Sequence, residues 1–168
     1  MVEVELRAKA TPATQKLIEK HAKKISAFTE EDVYFKCASD VERKLVIRIR
    51  KNPNGTFLTF KGASVVKDDI AWQEWETSAK DVDKLALLLL ASGYVQVVRI
   101  CKHRAKYRHQ DIEVNFDIID DLGTFVEAEV ISDDVHAAQQ KIKAFFSLIG
   151  ISDENLVKKG YVKLMLKE

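Results

Sequence analysis

Like charges recur two positions apart, separated by single uncharged and mostly apolar residues, along much of this chain. The stretches are Glu3-Val-Glu5-Leu-Arg7-Ala-Lys9, Arg48-Ile-Arg50, Glu74-Trp-Glu76, Lys102-His-Arg104, Glu113-Val-Asn115-Phe-Asp117 and Glu127-Ala-Glu129, and Phe57-Leu-Thr-Phe-Lys61 brings a single charge in the same register. A period of two belongs to the β-strand, so each set lies on one face of its strand. Any one of these could be the wet side of an ordinary half-buried sheet. Together they constrain more. Amphipathic helices need the apolar face to pack against; if the sheet closes on itself with helices outside, the charged faces line its interior. Placing charge there costs on the order of several kcal/mol per ion unless partners or water compensate. An interior of this kind is worth keeping only for a ligand.

The remaining patterns supply the helices. Thr11-Pro12 opens a helix with Thr as N-cap and Pro in the first turn, and Leu17, Ile18, His21, Ile25 and Phe28 continue it at helical spacing to about residue 28. Strands are predicted over 2–9, 31–37, 43–51, 56–61, 70–77, 94–108, 111–119, 125–131 and, at the end, 161–166. Asn52-Pro-Asn-Gly55 turns one hairpin. A second helix, capped by Ser78, runs from Asp81 to Ser92 and stops at Gly93; a third starts at Ser132-Asp133 and reaches Leu148. The expected fold is α+β: about eight strands forming a largely antiparallel β tunnel or barrel with amphipathic helices outside, spanning 1–168 as one domain.

Composition narrows the function classes. Lys and Arg number 27 against 26 Asp and Glu, a net charge of +1, without the basic excess of a dedicated duplex-nucleic-acid binder. The longest apolar run, Leu85 to Ala91, is too short to cross a bilayer. Cys37 and Cys101 are far apart and outside any CxxC motif, and His21, His103, His109 and His136 have no metal-ligand spacing. A cytoplasmic protein is expected. The leucines of 87–90 would cover the sheet or a partner chain, which leaves room for a homodimer.

The charged pairs also match a known pattern in order. Glu3-x-Glu5-x-Arg7 resembles the ExExK signature of the CYTH superfamily, the triphosphate tunnel metalloenzymes. Arg48-x-Arg50 resembles the family's RxR strand and Lys61 the lysine of the next strand. Glu74-x-Glu76 resembles its central acidic pair, and Lys102-x-Arg104 its KxR strand, with Tyr107 three residues on. Asp117 followed by Leu122-Gly123-x-Phe125-x-Glu127-x-Glu129 resembles its D…LGxFxExE segment. Arg7 stands where the family usually has Lys, with Lys9 one step further on the same face; Gly160-Tyr161 stands where a Ser-Tyr pair is usual.

The resemblance implies an eight-stranded tunnel holding a triphosphate. The ligand would be inorganic triphosphate, ATP or thiamine triphosphate, and Mg²⁺ or Mn²⁺ would accompany it. Arg7, Lys9, Arg48, Arg50, Lys61, Lys102 and Arg104 would then bind phosphate oxygens through charge-assisted hydrogen bonds. Carboxylates repel phosphate, so Glu3, Glu5, Asp117, Glu127 and Glu129 would hold the cation. Glu5, Asp117, Glu127 and Glu129 would form the catalytic set, with Glu74, Glu76 and Tyr107 in support. The implied activity is hydrolysis of inorganic or small organic triphosphates. The alternatives are a class IV-type adenylate cyclase making cyclic AMP, or a polyphosphate- or nucleotide-binding module without turnover.

Overall fold

A computed structural model describes residues 2–37, 46–64 and 71–167. Eight strands alternate with helices: β1 (Val2–Lys9), α1 (Pro12–His21), β2 (Lys23–Cys37), β3 (Val46–Asn52), β4 (Gly55–Ser64), β5 (Ala71–Ser78), α2 (Val82–Ala91), β6 (Tyr94–His109), β7 (Ile112–Ile119), β8 (Gly123–Ser132), α3 (Val135–Leu148) and α4 (Tyr161–Met165), with a 3₁₀ turn at Asp153–Asn155. The strands are antiparallel and close into a barrel in the order β1-β5-β4-β3-β2-β6-β7-β8. Among the described residues, the seam between β1 and β5 pairs Glu3 with Trp72 and Val4 with Ala71, and β1 and β8 pair over eight residues.

The first helix is shorter than its apolar spacing predicts. It ends at His21, Ala22 is extended, and the chain runs straight into a 15-residue β2 paired from Lys23↔Arg108 to Cys37↔Tyr94. A continuous ladder along β6 outweighs the weak helical period of Ile25 and Phe28. The predicted closing strand over 161–166 is instead the helix α4, whose Tyr161, Leu164 and Met165 share one apolar cluster at i, i+3, i+4 spacing. α2 is capped by Asp81, whose carboxylate accepts the Lys84 N–H, rather than by Ser78, and α3 by Asp134, which accepts the Ala137 N–H at 2.9 Å. The strand predicted over 43–51 is described from Val46; residues 43–45, and residue 70 of the fifth strand, lie outside the described residues.

Strand parity sorts the side chains as the alternation requires. Val4, Leu6, Ala8, Val114, Phe116, Val126, Ala128 and Val130 face outward and are buried with Ile18 of α1 and Ala138, Ile142, Phe145 and Phe146 of α3. Each such aliphatic side chain contributes about 1.5–3 kcal/mol on burial. On the other flank Leu85, Ala86 and Leu89 of α2 pack over Phe35, Ile47, Ile49, Leu58 and Phe60. Leu87, Leu88 and Leu90 point away and are 65%, 63% and 49% exposed.

A third apolar cluster lies at one end of the barrel. Tyr34, Ile100, Ile119 and Phe125, from four different strands, meet Tyr161, Val162, Leu164 and Met165 of α4. Among the described residues, this layer closes that end. The opposite end opens into a cavity of about 330 Å³.

Candidate active site

Between the closed end and the mouth the barrel wall is charged. Glu5, Glu30, Asp32, Arg48, Lys102, Arg104, Asn115, Asp117 and Glu127 are all buried. β6 and β7 set the central pair: the Arg104 guanidinium donates to both Asp117 oxygens, at 2.7 and 2.6 Å, and to Glu127 Oε2 at 2.7 Å. Across the barrel Arg50 forks onto Asp32 at 2.7 and 2.8 Å, and Lys102 Nζ lies 3.1 Å from Asp32 and 3.2 Å from Glu30. Arg48 donates to the Thr59 hydroxyl at 3.0 Å and Glu74 at 2.9 Å, while the Thr59 hydroxyl donates to Glu76 at 2.9 Å. Glu74 and Glu76 therefore brace a cation.

Arg7 joins the wall to the closing helix. Its guanidinium pairs with Glu5 and Glu127, donates to the Lys159 carbonyl at 3.0 Å, and stacks 4.2 Å from the centre of the Tyr161 ring. The Tyr161 hydroxyl in turn donates to Asp117 at 3.1 Å.

A second cluster is purely acidic. Glu3, Glu5 and Glu129 each place a carboxylate oxygen within 4.8 Å of the others. Glu5 and Glu129 are direct cross-strand partners, and Glu113 sits opposite Glu129 on the other side. Burial, with Glu3, Glu5 and Glu113 nearby, drives the Glu129 carboxyl well above the usual range, although Arg104 pulls the other way. Burial would raise Asp32 and Glu127 too. There the cations win: Lys102, Arg50 and Arg48 hold Asp32 down, and Arg7, Arg104 and Lys102 hold Glu127 down. Three convergent oxygen donors, one of them reluctant to stay ionised, fit a hard divalent cation.

Most of the residues singled out from the sequence thus line one space. Glu3, Glu5 and Glu129 form the acidic cluster; Arg7, Arg48, Arg50, Lys102, Arg104, Asp117 and Glu127 form the paired wall. Lys61 lies on β4 opposite Glu74 in register, and its side chain is outside the described residues. Lys9 is exposed at the end of β1. Tyr107 is elsewhere: at odd parity to Lys102 and Arg104, it faces out and is buried under α1. Its hydroxyl accepts from Gln15 at 3.2 Å and donates to Glu19 at 3.1 Å.

Two buried wall residues, Glu30 and Asp32, lie outside the charged pairs legible in the sequence. Glu30 and Asp32 share one face of β2 with Phe28 and Tyr34, a signal hidden because the helical spacing of the sequence reaches residue 28. Asn115 shares its face with Asp117, is wholly buried, and neither its Oδ1 nor its Nδ2 has a hydrogen-bond partner among the described residues. Tyr161, of the Gly160-Tyr161 pair, reaches the wall from a helix rather than from the expected strand.

A closed antiparallel barrel whose interior sets paired cations against an acidic cluster is the architecture of triphosphate-processing tunnels. The CYTH domain pattern matches residues 1–161, and the chain belongs to that family of metal-dependent triphosphate tunnel enzymes. A Methanocaldococcus jannaschii protein named as a candidate adenylate cyclase is 27% identical over 172 residues, spanning 98% of each chain. A Pyrococcus furiosus protein of unassigned function has a solved structure with a TM-score of 0.89 at 26% identity, covering 96% of this chain and 99% of its own. A candidate adenylyl cyclase from Hippeastrum, described as having a dominant triphosphatase activity, shares the fold at a TM-score of 0.73 and 16% identity, covering 99% of this chain and 96% of that one.

Proposed function

We propose that the barrel is a divalent-cation-dependent triphosphatase acting on inorganic or small organic triphosphates. The observation that carries this reading is the meeting of the Glu3–Glu5–Glu129 cluster with the guanidinium forks of Arg50 and Arg104 inside one closed wall. A phosphate presents two oxygens to a guanidinium much as a carboxylate does. Asp32 and Asp117 therefore hold the forks flat and preset for phosphate, and Lys102 and Arg48 add charge beside them. Lys61 is assigned the same role from its place on β4.

Glu3, Glu5 and Glu129 would hold Mg²⁺ or Mn²⁺, which supplies charge neutralisation and a more acidic water. Glu127 and Asp117 orient Arg7 and Arg104, and the family resemblance assigns Glu127, which shares Arg7 with Glu5, to the cation site as well. In the reaction, water oxygen bonds to the terminal phosphorus, the bond to the bridging oxygen breaks, and the diphosphate end leaves with that electron pair. The water's proton passes to a wall carboxylate. The cationic wall is matched to the charge spread over the phosphoryl oxygens.

The family supports a second reading, since the Methanocaldococcus jannaschii relative is named as a candidate adenylate cyclase. The same tunnel would then bring a ribose hydroxyl to the α-phosphorus and release pyrophosphate. A third reading is binding without turnover. Purified protein incubated with inorganic triphosphate, ATP or thiamine triphosphate, with Mg²⁺, Mn²⁺ or EDTA, separates the three. Metal-dependent orthophosphate release establishes the hydrolase and cyclic AMP with pyrophosphate the cyclase; ligand protection against unfolding without product establishes the binder.

A further inference from the structure

Asn115 stands apart from the rest of the wall. It shares the inner face of β7 with Glu113 and Asp117 and is fully buried, yet neither end of its carboxamide has a hydrogen-bond partner among the described residues. Buried amides are nearly always satisfied. The charged groups around it are engaged with other partners instead. Lys106, its register partner on β6, pairs with Glu113 at 2.5 Å. Glu127, its register partner on β8, is held by Arg7 and Arg104, and Asp117 is forked by Arg104.

The residue marks the boundary between the two halves of the site. Glu113, on its mouth side, pairs in register with Glu129 of the acidic cluster, whereas Asp117, on its other side, pairs with Arg104. A carboxylate at this boundary would repel phosphate, and an ammonium would repel a divalent cation. A carboxamide does neither, and it offers both an acceptor and two donors. Diagonal neighbours in a sheet, as Asn115 and Glu129 are, lie roughly 7–8 Å apart, which leaves room for one water between amide and carboxylate. A phosphate oxygen can satisfy only the donor end of the amide.

We infer that Asn115 orients the attacking water: its Oδ1 accepts one of the water's hydrogens while its Nδ2 donates to a non-bridging oxygen of the terminal phosphate. The inference rests on the triphosphatase reading and adds a residue to that reaction. A water whose oxygen is to bond phosphorus must keep a lone pair free, so the amide accepts from it rather than donating to it. The N–H is then left for the phosphoryl group, where charge develops. The water's other hydrogen passes as a proton to a wall carboxylate, and the bridging oxygen leaves with its electron pair. The amide itself neither gains nor loses a proton.

Orthophosphate release from inorganic triphosphate with Mg²⁺, together with calorimetric affinity for the same ligand, tests it on wild-type, Asn115→Leu and Asn115→Asp proteins. Asn115→Leu should lower kcat by about a hundredfold to a thousandfold, the usual loss for one preorganised donor. Its affinity should weaken by about tenfold at most, the worth of one neutral hydrogen bond. Asn115→Asp is isosteric and, once protonated, again offers a donor and an acceptor. Its rate relative to wild type should therefore climb as pH falls. Glu113, Asp117, Lys106, Arg104, Glu127 and Glu129 face the site in both proteins, so their own titration enters both rates. A wild-type kcat in Asn115→Leu, an affinity loss as large as the rate loss, or a flat ratio for Asn115→Asp would overturn the inference while leaving the triphosphatase standing. Absence of orthophosphate release from the wild-type protein would overturn both. Should Asn115→Leu fail to fold by circular dichroism, Asn115→Asp carries the test alone.

Discussion

At the scale of single residues, the wall holds a buried amide that no group among the described residues satisfies. Asn115 is fully buried between Lys106 and Glu127 in register, with its carboxamide unpartnered among the described residues. An unpaired buried amide costs about 1–3 kcal/mol. Asn115→Leu, nearly isosteric, should therefore raise stability by about that amount, or a few degrees in melting temperature, and should lower turnover. A fall in stability would show that the amide is already satisfied. Glu129→Gln removes one arm of the acidic cluster without changing its volume; metal-dependent product release should vanish while the fold persists by circular dichroism. Full activity in this variant would refute the cation assignment. Arg48→Ala should act mainly on KM, since its partners Glu74 and Glu76 face the same space, and an unchanged KM would count against its phosphate role.

At the scale of elements, α4 shows the most about how sequence and structure part company. Its five residues are too short for periodicity to decide between strand and helix, and only the apolar layer built by Tyr34, Ile100 and Phe125 gives it something to sit on. Tyr161→Ala should cost about 3–5 kcal/mol in denaturant unfolding, as a large buried ring does. Tyr161→Phe should cost about 1.5 kcal/mol, the low end for a bond to a charged acceptor, because Arg104 still holds Asp117. A Phe variant as damaging as Ala would mean that the hydroxyl, rather than the ring, secures the helix. The strands with charged alternation were readable because parity alone fixes their faces, which is why Glu3 meets Glu129 and Arg104 meets Asp117 on the inner face. Parity likewise turns the Tyr107 side chain to the outer face under α1, as its odd offset from Arg104 requires. Glu30 and Asp32 were lost for a different reason: two apolar residues at helical spacing, Ile25 and Phe28, masked the onset of β2. Lys9 has the right parity but stands at the end of its strand, and no local pattern says where a barrel wall stops.

At the scale of the whole molecule, stability should depend on pH in two opposing ways. The Glu129 carboxyl is raised above its unfolded value, so its contribution favours the fold at low pH and is lost as pH rises through the folded value. Asp32 and Glu127 are lowered, so theirs is present above the ordinary carboxylate range and lost as pH falls through the folded values. A divalent cation held by Glu3, Glu5 and Glu129, as proposed, would replace that proton. The rise in melting temperature produced by Mg²⁺ should therefore be greater at about pH 8 than at about pH 5. Thermal scans across pH with Mg²⁺ or EDTA would check this; an increment that does not grow with pH would count against the cluster as the cation site.

The layer beneath α4 also turns the barrel into a cul-de-sac. For a triphosphate ester hydrolysed as proposed and entering the open end phosphates first, the terminal phosphate would lie deepest and be freed behind the larger fragment. The products must then leave in a fixed order, diphosphate ester first and orthophosphate last. Steady-state kinetics would register that order as orthophosphate inhibiting competitively with substrate and the diphosphate ester inhibiting noncompetitively.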